Sequence, residues 1–236
     1  MISTQFSSFS FEDWWQCKGA WVEPPNRRRG GESGVQRLLF PEQVQLYCKR
    51  QQGHLYHSFC HPFGRPTILR EWHALHMFQR IGIQVPRTVY CSARKYSGQW
   101  QALLITEPLA GFISLEAFYQ QPLERGQREK VLHAVAKTLR HLHLARWQHG
   151  CCYPKHIFVK AQPNEHASNV QVALLDLEKS RQRLTVKKAS THDLRQLFRH
   201  SPYMAQKDEQ YFLKCYFKTV MQPRNILEKK SVIYDS

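Results

Sequence analysis

The stretch His149-Gly150-Cys151-Cys152-Tyr153-Pro154-Lys155-His156-Ile157-Phe158-Val159, with Leu174-Leu175-Asp176-Leu177-Glu178 further along, decides how this chain is read. In each run a short apolar segment adjoins titratable side chains. Ile157-Phe158-Val159 follows a loop with two histidines and a lysine, and the segment 170–175 leads into Asp176 and Glu178. Apolar runs this short, bounded by turn residues, read as strands, and the polar loop between them holds Pro163, Asn164 and Asn169.

Just upstream, residues 128–147 place Val131, Leu132, Val135, Ala136, Leu139 and Leu142 on one helical face. Downstream, helices are expected over 193–200 and 208–221. The first 65 residues read instead as β-rich: Val35-Gln36-Arg37-Leu38-Leu39, Val44-Gln45-Leu46-Tyr47-Cys48-Lys49 and His54-Leu55-Tyr56-His57 are broken by Pro41 and Gly53. These predict antiparallel hairpins. One helix follows Pro66-Thr67, with Ile68, Trp72, Leu75, Phe78 and Gln79 at near-helical spacing and Gly82 just past its end. Strands are expected over 87–91 and 100–107, the second buried because Ala102-Leu103-Leu104-Ile105 lacks alternation. The order predicts an α+β, two-lobe fold: an extension 1–19, a β-rich lobe 20–107 crossed by one helix, a mainly helical lobe 108–222, and a polar tail 223–236.

The 236 residues suffice for two lobes and a substantial core. Hydrophobic content of 42% excludes a disordered basic tail, and a mean hydropathy of −0.55 excludes a membrane bundle. The longest aliphatic run, Val172-Ala173-Leu174-Leu175, is far shorter than the roughly 20 residues that cross a bilayer. The start carries Glu12 and Asp13 in place of an apolar signal core, so a cytoplasmic chain is expected. Seven cysteines without a CxxC pair fit reduced thiols. A net charge of +16 calls for a polyanionic partner or an anionic membrane surface.

Several groups could carry chemistry. Gly30, Gly31 and Gly34, between two expected strands, leave backbone N–H groups open to a phosphate, although a surface turn beside a solvated arginine run fits them equally. Lys49 ends a strand and Glu71 opens the following helix; each alone is an ordinary surface or helix-end charge. Together they match the ion pair with which kinases hold the phosphates of ATP. Cys48, His54, His57, Cys60, His61, His73 and His76 lack the paired spacing of a zinc site. The cations of Arg27-Arg28-Arg29 and of Lys179, Arg181, Arg183, Lys187 and Lys188 are not interleaved with aromatics, which sets nucleic acid aside as a partner.

The run 149–159 resembles a kinase catalytic loop with its following strand, and Asp176-Leu177-Glu178 resembles the metal-binding Asp-Phe-Gly signature with its last two residues replaced. With Arg70-Glu71-Trp72, Gly82-Ile83-Gln84-Val85-Pro86 and Tyr153-Pro154-Lys155-His156-Ile157-Phe158, the chain resembles the lipopolysaccharide kinase (Kdo/WaaP) family, InaA-type, over residues 20–200. The resemblance implies a protein-kinase-like fold that uses ATP and Mg²⁺ to phosphorylate sugars of the lipopolysaccharide inner core, with peripheral contact at the inner membrane. It further implies that Gly30, Gly31 and Gly34 cover the phosphates, that Lys49 binds them and is held by Glu71, and that Glu107 and Leu109 lie in the hinge near adenine. Asp176 would hold Mg²⁺ with His156 as a second ligand, and Lys155 would offset phosphoryl charge. Asp193 resembles the helix aspartate that braces the loop, and reads equally as a helix N-cap.

One position departs from the pattern: Cys151 stands where the catalytic aspartate is expected. A thiol with an ordinary pKa near ~8.5 is mostly protonated at neutral pH and a poor proton acceptor. His149 and Glu178 remain as candidate bases. The alternative to an enzyme is a pseudokinase-like nucleotide-binding or stress-response module without phosphoryl transfer.

Overall fold

The computed structural model describes residues 6–28, 31–58, 61–122, 124–160 and 170–218. Gly30, Cys60, the loop residues Pro163, Asn164 and Asn169, and the tail 223–236 lie outside them.

The β-rich lobe is built on an antiparallel sheet. Strands β1 (Ala20–Trp21) and β2 (Asn26–Arg28) both pair with β3 (Gly31–Leu39), which pairs with β4 (Gln45–Gln52). A short hairpin, β5 (Leu55–Ser58) with β6 (His61–Pro66), leads into helix α2 (Thr67–Arg80), and β7 (Thr88–Tyr96) and β8 (Gln99–Thr106) return to complete the order β1-β3-β4-β8-β7. Helix α1 (Phe11–Gln16) precedes the sheet, fixed by a capping box between Ser10 and Asp13.

Strand alternation divides the sheet into two faces. On one, Leu38, Leu46, Cys48, Leu103 and Ile105 pack beneath Phe6 and Trp14 in a compact second core. On the other, Val35, Lys49 and Leu104 lie in register across three strands and face α2. Helix α2 buries Ile68, Glu71, Ala74, Leu75 and Phe78, while Trp72 and Gln79, expected on the inner face, lie on the exposed side. Trp72 packs against His76 there.

The second lobe begins with β9 (Ile113–Ser114) and α3 (Leu115–Tyr119), followed by α4 (Arg125–Leu144). Helix α4 starts and ends earlier than expected, and Trp147 belongs to β10 (Trp147–Gln148). The expected strands appear as β11 (Ile157–Lys160) and β12 (Gln171–Leu174), in the order β12-β11-β9. Strand β13 (Arg181–Gln182) pairs with β10, and α5 (Val186–Arg199) and α6 (Gln206–Lys218) complete the lobe. Thr185 caps α5, its hydroxyl accepting from Lys188 N at 3.2 Å, so Asp193 sits mid-helix and is not an N-cap. The main core runs from Ile68 and Phe78 of α2 through Leu104 to Leu132 and Leu139 of α4 and Phe212 of α6. The lobes also join through the backbone, Leu174 N donating to Gln84 O at 3.0 Å.

Candidate active site

Three segments far apart in the chain meet at Lys49. Its ammonium donates to Glu71 Oε2 at 2.6 Å and to Glu178 Oε2 at 3.1 Å, and Asp176 Oδ1 lies 3.8 Å away. Register places Lys49 on the α2-facing side of β4; the first turns of α2 bring Glu71, and the end of β12 brings Asp176. Asp176 adopts φ 56°, ψ 61°, a left-handed conformation costly for a residue with a Cβ and found where a site fixes a side chain's aim.

Charge is dense here. Burial opposes protonation of Lys49, yet the Glu71, Glu178 and Asp176 carboxylates overcome it and hold the ammonium above its ordinary range. Burial raises the Glu71 carboxyl, with Asp176 and Glu178 adding repulsion and Lys49 opposing it. Burial also acts to raise Asp176, but Lys49, then His156 and His149, prevail and hold it below the usual carboxylate range.

The loop beside this cluster is organised by the buried carboxylate of Asp193. Its Oδ2 accepts from His149 N at 2.6 Å, its Oδ1 accepts from Gly150 N at 3.0 Å, and His143 Nε2 lies 3.1 Å from Oδ2. His143 in turn meets Tyr216 Oη through Nδ1 at 2.8 Å. Of the two readings of Asp193, the geometry selects the brace. Gly150 has φ +83°, and a Cβ there would lie 2.5 Å from Lys179 O, so the loop turns where only glycine fits.

His149, expected among the catalytic residues, is wholly buried. Its Nδ1 accepts from Cys151 N at 3.2 Å, which puts the ring proton on Nε2, and burial pushes its pKa down to about 4. At neutral pH it is an uncharged ring packed within the loop. Cys151 is 3% exposed; burial first, then the adjacent Asp176 carboxylate with which its thiol hydrogen-bonds, push its pKa up to about 12. Both influences hold the proton on the thiol at neutral pH. His156 Nδ1 lies 2.9 Å from Cys151 O and 3.6 Å from Asp176 Oδ2. Because a carbonyl can only accept, Nδ1 carries the proton and is unavailable to a metal; His156 supports Asp176 and does not share an ion with it through that atom. Lys155 stands exposed on a 3-10 turn, Pro154–His156.

Gly31 and Gly34 lie inside β3, not in the turn before it. A Cβ on Gly31 would meet Gly53 C at 2.4 Å, and one on Gly34 would meet the Trp21 ring at 2.5 Å, so both answer to close packing. Glu107 and Leu109 sit in the connection between β8 and β9. The Glu107 carboxylate is engaged by Arg87, whose Nε donates at 2.8 Å. A cavity of ≈ 250 Å³ lined by Ala20, Trp21, Val22, Arg37 and Tyr47 opens along this lobe, and Tyr47 shares the strand face of Lys49.

Sequence reasoning missed Glu178 as a partner of Lys49 and Arg70 as the group that holds it: Arg70 Nε donates to Glu178 O and its guanidinium lies 4.8 Å from the Tyr56 ring centroid. It also missed His143. The available signals were the buried Leu177, which puts Asp176 and Glu178 on either side of an anchored residue, and the position of His143 next to Leu142 on the inner face of α4.

A family profile, the lipopolysaccharide kinase (Kdo/WaaP) family, matches residues 12–216. Protein InaA of Escherichia coli is 44% identical over 200 residues, covering 83% of this chain and 89% of that protein. The lipopolysaccharide core heptose(I) kinase WaaP of Escherichia coli is 26% identical over 176 residues, 69% of this chain and 66% of the kinase. The protein of the same name from Pseudomonas aeruginosa is 25% identical over 157 residues, 63% and 59% of the two chains. The matched part is thus 66% of one kinase's own length and 59% of the other's, under two thirds in both. Among solved structures, WaaP in complex with acyl carrier protein superimposes with a TM-score of 0.69 at 21% identity, over 92% of this chain and 86% of that one, in accord with a two-lobe, kinase-like α+β fold.

Proposed function

Since the chain belongs to the lipopolysaccharide kinase (Kdo/WaaP) family, we propose that it binds Mg-ATP between its lobes and transfers the γ-phosphoryl group to a hydroxyl of an anionic sugar of the lipopolysaccharide inner core, slowly. The observation that carries this reading is the convergence of Lys49, Glu71 and Asp176.

In this reading Lys49 holds the α- and β-phosphates, and Glu71 keeps its ammonium aimed into the cleft. Asp176 is the carboxylate for Mg²⁺. Among the described residues no group of three or more His, Cys, Asp or Glu is arranged to hold a metal, so an ion here must complete its octahedral shell with phosphate oxygens and water. That fits Mg²⁺, which arrives with the nucleotide and supplies neutralisation of phosphate charge. Lys155, beside the loop, offsets charge on the group in transit. The thiol proton of Cys151 stays in place at neutral pH, so the acceptor hydroxyl loses its proton without help from that position. Phosphoryl transfer tolerates this because its loose transition state depends chiefly on positioning and charge neutralisation.

Lys179, Arg181, Lys187 and Lys188 are exposed next to the loop, and we assign them to the anionic acceptor and the membrane leaflet that carries it. No helix of the described residues is long and apolar enough to cross a membrane, so contact with a leaflet would be peripheral.

The buried, protonated Cys151 favours a second reading, a nucleotide-binding pseudokinase. The two separate on one experiment. Titration with a fluorescent Mg-ATP analogue should give binding that Lys49→Met weakens at least about a hundredfold, the loss of a buried charge-assisted contact. Labelled γ-phosphate should then pass to deacylated core oligosaccharide, more slowly in Asp176→Asn and faster in Cys151→Asp. Binding without transfer in both the native protein and Cys151→Asp would leave only the pseudokinase.

A further inference from the structure

Lys49 is fully subscribed. Its ammonium has three N–H donors, of which Glu71 takes one at 2.6 Å and Glu178 another at 3.1 Å, while Asp176 at 3.8 Å faces the third. Three carboxylates and one cation leave the cluster with a net charge of about −2, the sign opposite to what a triphosphate needs. Glu71 and Asp176 already have roles. Glu178, named above only as a candidate base, adds negative charge beside the phosphate-binding lysine.

The backbone under Glu178 is held firmly. Leu177 is fully buried, Ser180 N donates to Leu177 O at 2.9 Å to close the turn, and Arg70, adjacent to Glu71 on α2, donates to Glu178 O. The residue therefore cannot withdraw by moving its main chain without breaking the contact between α2 and this turn. Only its side chain can turn away. Its side chain is 19% exposed against 9% for Glu71, so of the two carboxylates hydrogen-bonded to Lys49 it is the more accessible from solvent.

We infer that Glu178 competes with the phosphates for Lys49, and so makes nucleotide binding conditional on a divalent cation. Without the cation, an incoming triphosphate meets the carboxylates of both Asp176 and Glu178 and must displace Glu178 from Lys49. With it, the carboxylates face a cation in place of bare phosphate, and the displaced Glu178 is relieved of repulsion. The inference rests on the nucleotide reading above and adds to it a regulating residue.

The test is equilibrium binding of a fluorescent ATP analogue to the native protein and to Glu178→Gln, each in excess Mg²⁺ and in EDTA. Glutamine preserves the size and the hydrogen-bond acceptor but removes the charge. Glu178→Ser is the second variant, and melting without nucleotide checks that each is folded. In EDTA both variants should bind at least about tenfold more tightly than the native protein, as expected when one close like charge is removed. The gain on adding Mg²⁺ should shrink correspondingly. Equal affinity of folded variants and native protein in EDTA would overturn the inference while leaving the nucleotide site intact. Weaker binding of Glu178→Gln in Mg²⁺ with no gain in EDTA would overturn it also, since Glu178 would then be a metal ligand. No binding by any form in either condition would instead refute the nucleotide reading on which the inference stands.

Discussion

Lowering the pH from 7 to 5 should weaken the native fold through one side chain, His149. Its ring is completely buried, its Nδ1 accepts from Cys151 N, and its Nε2 has no hydrogen-bond partner among the described residues. Adding a proton would break the one bond and place a cation where no water reaches. Burial, chiefly, lowers the pKa from 6.5 to about 4, with His156 and His143 acting in the same direction and Asp193 and Asp176 against it. Between those values the unfolded chain binds a proton that the folded chain refuses, so stability falls as the pH drops through 6.5, and the loss is complete near 4. Each pH unit in that window is worth about 1.4 kcal/mol, which makes the loss about 2 kcal/mol on reaching pH 5. Other groups titrate in the same range, so the quantity to measure is a difference. Urea unfolding of the native protein and of His149→Phe at both pH values should show the native protein's advantage shrinking by about 2 kcal/mol at pH 5. A difference that stays constant to within about 0.5 kcal/mol would refute the assignment of His149 as a buried neutral base.

Asp193→Ala leaves two buried backbone N–H groups and His143 without their acceptor, and should cost about 4 kcal/mol in chemical denaturation at pH 7. Burial acts to raise Asp193 but His143, the neighbouring His149 and the backbone donors hold it below the ordinary carboxylate value, so its contribution persists above that value and fades only as the pH falls through the lower folded one. Gly150→Ala must relieve a 2.5 Å contact with a backbone carbonyl at positive φ, and should lower stability by more than about 2 kcal/mol, read as a fall in melting temperature.

Local pattern carried most of the architecture. The apolar positions from Val131 to Leu142 and the unbroken run Ala102 to Ile105 lie buried as their spacing requires, because burial on one face is a property of the element itself. Lys49, Glu71 and Asp176 were legible as a set through their resemblance, in order along the chain, to kinase signatures, although each alone was an ordinary charge. What the sequence hid depends on docking between distant elements. The inner face of α2 is set by how the helix meets β7, β8 and the turn Leu177–Lys179, so Glu71 and Ala74 are covered and Trp72 is not. Asp193 gains its meaning from backbone donors more than forty residues away, and Glu178 from a lysine on the far side of the molecule's two-lobe junction. No periodicity encodes such pairings.

The first residues of the chain have a consequence for anyone who would trim it. Phe6 and Trp14 roof the outer surface of the sheet, Trp14 with no exposure at all, and Arg50 ties that roof to β4 by donating from Nη1 to Cys17 O at 3.2 Å. A protein begun at Ala20, where the strands start, would present Leu38, Leu46, Leu103 and Ile105 to water on the reverse of the strand that carries Lys49. Such a fragment would be expected to clump before its cleft could be assayed, and its silence would say nothing about the chemistry of the intact molecule.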